Sequence, residues 1–214
     1  MSKKGRFMAE PSAVTKQKIL DSAKKEFLEK GFMNASLRKI ACNAVLTTGA
    51  MYRHFKDKDA LFCALVDDAI DVTTKVIMNA DVVMHMNDPS PISQEHEEKE
   101  HEILYQFLNY IYDNFDAFTL LISKASGSTH EYFIDDMCEL YTKNCLRTID
   151  WLYEQKYATK KIDPLIMHVI ATSLISAFTE LISHKIPKDQ AEQFVTSING
   201  FFHYGTIHLM GIPH

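Results

Sequence analysis

Between Ser36 and Lys58 the chain reads SLRKIACNAVLTTGAMYRHFKDK. Ser36 and Thr47 each precede a short helical run and can cap it with a side-chain oxygen. The first run turns Leu37, Ile40, Ala41 and Ala44 inward, and the second turns in the i,i+4 pair Met51 and Phe55. Thr47, Thr48, Tyr52, Arg53 and His54 then fall on faces that cannot all be buried. Two short helices joined by a tight turn, the outer one rich in hydrogen-bonding side chains, make a device for reading a DNA major groove. Thr48 and Tyr52, one helical turn apart, offer a hydroxyl and a ring edge suited to thymine methyls and phosphates. Gly49 lets backbone approach backbone. Ser36, Thr47, His54 and Lys58 are candidate phosphate clamps. Capping alone would also explain Ser36 and Thr47. Lys58 stands at the next helix start, where free N–H groups could share a phosphate.

The elements that must position these residues follow from hydrophobic periodicity and breakers. Thr15 is a candidate cap for an opening helix with Ile19, Ala23, Phe27 and Leu28 on one face, and Gly31 stops it. A long fourth helix starts at Asp57 or Asp59 and carries Leu61, Leu65, Ala69, Val72, Val76 and Val83, with no breaker before Asn87-Asp88-Pro89. The Glu-rich end of 87–102 opens a fifth helix bearing Leu104, Phe107, Leu108, Ile111 and Phe115. A short helix over about 116–125 and a long one over 130–157 follow. Asp163-Pro164 and Pro187 open the last two, since proline suits a first helical turn. No strand-like alternation of useful length is present. The expected fold class is all-α with about nine helices: a helix-turn-helix domain over 1–62, its residues 1–13 a mobile basic arm with Lys3, Lys4 and Arg6, and a helical domain over 63–214.

Charge divides the same way. Residues 1–62 hold 13 Lys and Arg against 6 Asp and Glu, a net +7, and the remainder carries −12 within a total of −5. A basic head on an acidic body points to a polyanion at the head. The start, MSKKGRFMAEPS, has no apolar core segment, and Cys42, Cys63, Cys138 and Cys145 show no C-x-x-C pairing. Reduced cysteines in a cytoplasmic protein are expected. The charge-free stretches Pro164–Thr179 and Phe194–His214 suit buried helices, including ones buried against a second subunit, rather than membrane spans. His203 and His208 are five apart, not the i,i+4 spacing of a helical metal pair, so neither a metal site nor a cofactor is expected. With no Gly-rich phosphate loop and no nucleophile beside a local partner, neither is an enzyme.

Four features in order resemble the DNA-binding domain of the tetracycline-repressor (TetR) family of bacterial regulators: TKQKILDSAKKEFLEKGF, NASLRKIA, TTGAMYRHF and KDKDAL. The resemblance covers about residues 15–62. It places Arg38 to enter the major groove, where a guanidinium can bind guanine O6 and N7 together. It also implies a homodimer on a pseudo-palindromic double-stranded DNA operator. One departure stands out: Val45 occupies the turn position where the family usually has glycine. A β-branched residue tolerates positive φ poorly, so either the turn is reshaped or Asn43 takes the unusual conformation.

The last two helices make the dimer interface in that family, and Ala177, Phe178, Phe194, Ile198 and Phe201 are the candidates here. Met and aromatic side chains concentrate upstream of them. Phe107, Tyr110, Phe118, Met137, Tyr141, Trp151 and Met167 are candidate walls of an adaptable apolar pocket. The expected function is a one-component regulator, a repressor released by a small, largely apolar effector, with the acidic body leaning toward a lipophilic cation. The alternative is a DNA-bound adaptor whose C-terminal domain engages a protein. A closed apolar cavity would favour the first, and a filled core with an exposed apolar patch the second.

Overall fold

A computed structural model describes residues 11–86 and 93–212, and among these nine α-helices and no strand are found. They are α1 (Pro11–Asn34), α2 (Leu37–Asn43), α3 (Thr48–Met51), α4 (Lys58–Met86), α5 (Gln94–Asp113), α6 (Phe115–Ser123), α7 (Phe133–Glu154), α8 (Pro164–Ser183) and α9 (Lys188–Leu209). Lys3, Lys4 and Arg6, and the segment 87–92, lie outside the described residues. The opening helix starts at Pro11, not at Thr15, and takes the last residues of the expected arm into its first turn.

Local chemistry sets most helix ends. Gly31 leaves helical geometry (φ 72°, ψ 166°), a conformation open to a residue without Cβ, and bends the end of α1. The Ser36 hydroxyl accepts from Lys39 N and the Thr47 hydroxyl from Ala50 N. The Asp57 carboxylate accepts from Ala60 N at 2.7 Å and so opens α4. The Asp163 carboxylate accepts from Leu165 N and Ile166 N with Pro164 in the first turn.

The turn between α2 and α3 departs from both alternatives read from the sequence. Val45 itself takes the left-handed conformation (φ 59°). Leu46 N donates to Ala41 O at 2.9 Å and Val45 N to Cys42 O at 3.0 Å, the paired closure of a Schellman motif. Leu46 packs on the core while the Val45 side chain is 88% exposed, so the usual glycine geometry is kept and the strain falls on one solvated residue.

Phe27, Phe32 and Phe62 meet with ring centroids 5.2–5.9 Å apart and tie α1 to α4. The expected division after residue 62 falls inside α4. The buried cluster runs without a break from Ile19 through Phe62 and Ile77 to Phe118, Met137 and Ile182, so one helix belongs to both head and body. The turn after α6 completes the joint. Phe32 N donates to Lys124 O at 2.8 Å, and Asp59 accepts from Thr129 N at 2.8 Å and from the Thr129 hydroxyl. Gly127 (φ 84°) lies so close to Met33 that an added Cβ would sit 2.8 Å from its Cγ. α8 is long and apolar enough by composition to cross a membrane, but it packs on α6, α7 and α9.

Candidate nucleic-acid interface and body cavity

The two caps and the Val45 turn set α2 and α3 across the end of α1. Ile40, Ala41, Ala44, Met51 and Phe55 are buried beneath, and Ser22 donates to Ile40 O at 2.9 Å to fix α2 against α1. Ser36, Arg38, Thr47, Gly49, Tyr52 and Arg53 are exposed above them, with Thr48 and His54 half-buried. These expected contact residues are therefore accessible or partly accessible on the head. A Cβ built on Gly49 meets no atom within 4 Å, so nothing inside the protein requires a glycine there.

Beneath this surface an ion pair steadies the frame. Glu26 is buried, with one carboxylate oxygen 2.7 Å from Lys39 Nζ and the other accepting from Ser36 N at 3.3 Å. The hydrogen bond to Glu26 raises the Lys39 pKa above the usual lysine value, with opposing desolvation the next largest effect. Lys39 is thereby committed to the frame, while neighbouring Arg38 projects outward. Lys58 was expected as a phosphate clamp, but its ammonium is turned into the protein. It donates to Phe32 O at 2.7 Å and Met33 O at 3.1 Å and lies 4.6 Å from the Phe32 ring centroid. A cation there satisfies the last carbonyls of α1. Two of its three ammonium donors are thus engaged within the protein, and the third, with the backbone N–H at the start of α4, is left to meet a phosphate.

In the body, α4 to α9 line a largely apolar cavity of about 190 Å³. Phe107, Phe118, Met137 and Tyr141 line it, as expected, together with Ile111, Phe133, Leu174 and Phe178. An adjoining cavity of about 140 Å³ is lined by Met167, and the two share Glu100, Tyr141, Leu174 and Asn199. Burial pushes the Tyr141 phenol well above its ordinary pKa, with Cys145 adding to the effect, so it stays a neutral donor between the two spaces. Two expected wall residues are elsewhere. Tyr110 turns its hydroxyl out to Asp68 at 2.5 Å, touching the site only through its ring on Phe118. Trp151 stacks on Tyr157 at the far end of α7. Trp151 lies about four turns, roughly 21 Å, along α7 from Met137, and Tyr110 sits at the edge of the Phe107 face.

The expected interface residues also divide. Phe178 lines the cavity, and Phe194 packs inward beside Leu181, Ala191 and Val195. Leu174, Phe178, Leu181 and Ile182 recur at helical spacing, which puts Phe178 on the inner stripe. Ala177 and Ile198 are half-buried, and Phe201 is 73% exposed. Leu165, Ile166 and Val169 of α8 and Tyr204 and Leu209 of α9 are exposed apolar side chains as well, and those of α8 were not singled out from the sequence. Their signal was the i,i+4 spacing of Leu165 and Val169 opposite the buried stripe.

Comparison with known proteins agrees with this geometry. Residues 19–65 match the family described as "Bacterial regulatory proteins, tetR family". The chain is 36% identical over 76 residues to the HTH-type transcriptional repressor BepR of Brucella suis biovar 1, a stretch that spans 36% of this chain and 36% of that protein. The match to this curated relative thus spans about a third of its length. The whole fold is shared with NalD of Pseudomonas aeruginosa, the secondary repressor of the MexAB-OprM multidrug efflux pump (TM-score 0.61, 19% identity, 89% of this chain and 96% of that one). It is shared too with the fatty acid degradation regulator FadR of Bacillus halodurans (TM-score 0.56, 18% identity, 92% and 99%). Over residues 19–65 the head matches the TetR family of bacterial regulatory proteins, and beyond it the likeness is one of fold.

Proposed function

We propose that this protein is a cytoplasmic, homodimeric transcriptional repressor, not an enzyme, whose two heads hold a pseudo-palindromic operator. The observation that carries the reading is the outward array of Arg38, Thr48, Gly49 and Tyr52 on a buried, capped helix-turn-helix frame. Residues 1–62 act as the head and 63–214 as the body. Arg38 supplies base readout, Thr48 and Tyr52 supply base and phosphate contacts, and Ser36, Thr47 and His54 flank them on the phosphates. The exposed apolar side chains of α8 and α9, Phe201, Leu165 and Val169 among them, pair with those of a second copy, since exposed apolar groups of this kind mark an interaction site.

The cavity favours a small apolar effector over a protein partner. Its walls are largely aliphatic and aromatic, and the one carboxylate among them, Glu100, lies 3.1 Å from His203 Nδ1, a pairing that a lipophilic cation would share. NalD, a relative in fold, is the repressor of a multidrug efflux pump, in keeping with ligands of that class. The effector acts by binding more tightly to a conformation whose heads do not match the operator.

The test begins with sequencing the DNA retained by the purified protein, followed by gel-shift titration on the recovered site. Lipophilic cations, neutral aromatics and fatty acids are then screened for a raised melting temperature and for operator release. No sequence enrichment overturns the DNA reading. Release only by polar metabolites or metal ions overturns the cavity reading.

A further inference from the structure

We propose that Cys63, Asp67 and His130 form a three-ligand site for a divalent transition cation of the zinc type, set in the body beside its joint with the head. The inference stands apart from the reading of the head as a DNA-binding unit.

Cys63 and Asp67 lie one turn apart on the same face of α4. His130 reaches them from the turn that precedes α7. The Cys63 Sγ to His130 Nε2 distance is 3.4 Å, and His130 Nε2 to Asp67 Oδ1 is 3.3 Å. All three ligand atoms lie within 4.8 Å of one another. Metal–ligand bonds of ~2.0–2.3 Å at tetrahedral angles put neighbouring ligand atoms about 3.3–3.5 Å apart. Two edges of such a tetrahedron are therefore already in place. The third, between Cys63 and Asp67, is within 4.8 Å and closes by a turn of the Asp67 side chain about its contact with His130.

Without a cation the Cys63 thiol donates to Asp59 and the His130 ring can donate to Asp67; one cation would instead take all three ligand atoms together. Thiolate with imidazole selects borderline-soft ions such as zinc or cobalt, while magnesium and calcium call for all-oxygen shells. Three protein ligands leave a fourth position for water. Coordination breaks the S–H bond of Cys63, forms the sulfur–metal bond and releases the proton to solvent. A reactive-thiol role is the natural competitor, but burial, with Asp59 and Asp67 adding to it, pushes the Cys63 thiol up to about 11. An activated cysteine requires a shift the other way.

The surroundings brace the site. Asp59 holds Thr129, next to His130, through its amide and hydroxyl; it also accepts from the Cys63 thiol at 3.7 Å, a bond that coordination gives up. The cation would therefore tie α4 to the turn whose start, at Lys124, bonds Phe32 of the head. Occupancy locks head and body together.

The experiment uses the full-length chain, stripped with a chelator and titrated with CoCl2. One cobalt per chain is expected, with sulfur-to-cobalt charge-transfer absorption and tetrahedral d–d bands that ZnCl2 bleaches. Cys63→Ser removes the charge-transfer band, and Cys42→Ser keeps it. His130→Asn lowers cobalt affinity by at least about tenfold, and Thr129→Val, which loosens the brace alone, lowers it by about 10–100-fold with the band retained. Circular dichroism melts verify that each variant is folded, and Asp67→Asn gives an exposed ligand variant that should fold unaided and bind more weakly. No thiolate band, a band that persists in folded Cys63→Ser, or undiminished affinity in His130→Asn overturns the site. Loading with ZnCl2 should slow amide exchange at Phe32 and Thr129, and unchanged exchange in the loaded protein overturns the locking of the joint.

Discussion

Replacing Val45 by glycine should make the protein more stable. Val45 holds φ 59° while its side chain is 88% exposed, so the substitution removes a conformational penalty and almost no packing. A left-handed conformation costs an L-residue roughly 1–2 kcal/mol, and β-branching places valine toward the upper end. Glycine returns part of this by enlarging the unfolded ensemble, about 0.4–1 kcal/mol. The two Schellman bonds, from Leu46 N to Ala41 O and from Val45 N to Cys42 O, involve only backbone and survive the change. The net gain is about 1 kcal/mol, which for a chain of this size is a rise of about 2–4 °C in Tm. Urea unfolding followed by circular dichroism should show a higher midpoint at unchanged slope. Val45→Ala keeps the left-handed cost but loses the branch, and should gain less than half as much. A Val45→Gly protein no more stable than the parent, at equal slope, would refute the argument that the turn stores this strain.

Four further outcomes are expected. Gly49→Ala should leave the fold intact or stabilise it by up to ~1 kcal/mol, because a Cβ meets nothing there, yet weaken operator binding in gel shifts. Arg38→Ala should cost roughly 1–3 kcal/mol of discrimination at one base pair per half-site. Lys58→Ala should lower stability by about 1–2 kcal/mol through its lost carbonyl bonds while the salt dependence of DNA binding keeps its slope; a slope flattened by about one unit per head would restore Lys58 as a phosphate clamp. Phe201→Glu should convert dimers to monomers in sedimentation at micromolar protein, whereas Phe178→Leu, which changes a cavity wall, should leave assembly intact.

The helix-turn-helix frame was legible because its signals are local. Ser36 to Lys39, Thr47 to Ala50 and Asp57 to Ala60 are contacts three residues apart, and the stripe of Ile40, Ala41 and Ala44 is a repeat within one short helix. Lys58 was not legible, since its partners lie 25 and 26 residues earlier and only the folded end of α1 aims those carbonyls at it. The aromatic and Met supply of the body announced a pocket but not its walls. Phe107 and Phe118 face inward while Tyr110 finds Asp68, 42 residues away, and which way each ring turns is set by helix rotation. Val45 was read as a reason for the turn to change, when neighbouring hydrogen bonds were strong enough to impose the geometry on a poor residue. The Cys63–His130 pair, 67 residues apart, leaves no spacing pattern at all.

The continuity of α4 sets a gearing ratio. Ile77 lines the cavity and Lys58 anchors the head, 19 residues apart along one unbroken helix, about 28 Å at ~1.5 Å per residue. A tilt of only about 7° at the cavity end swings the head end by roughly 3.4 Å, one base-pair step. Paired heads on half-sites ~34–36 Å apart would each miss their register by a full step. On the mechanism proposed above, an effector would need to displace the cavity walls by only a fraction of that distance.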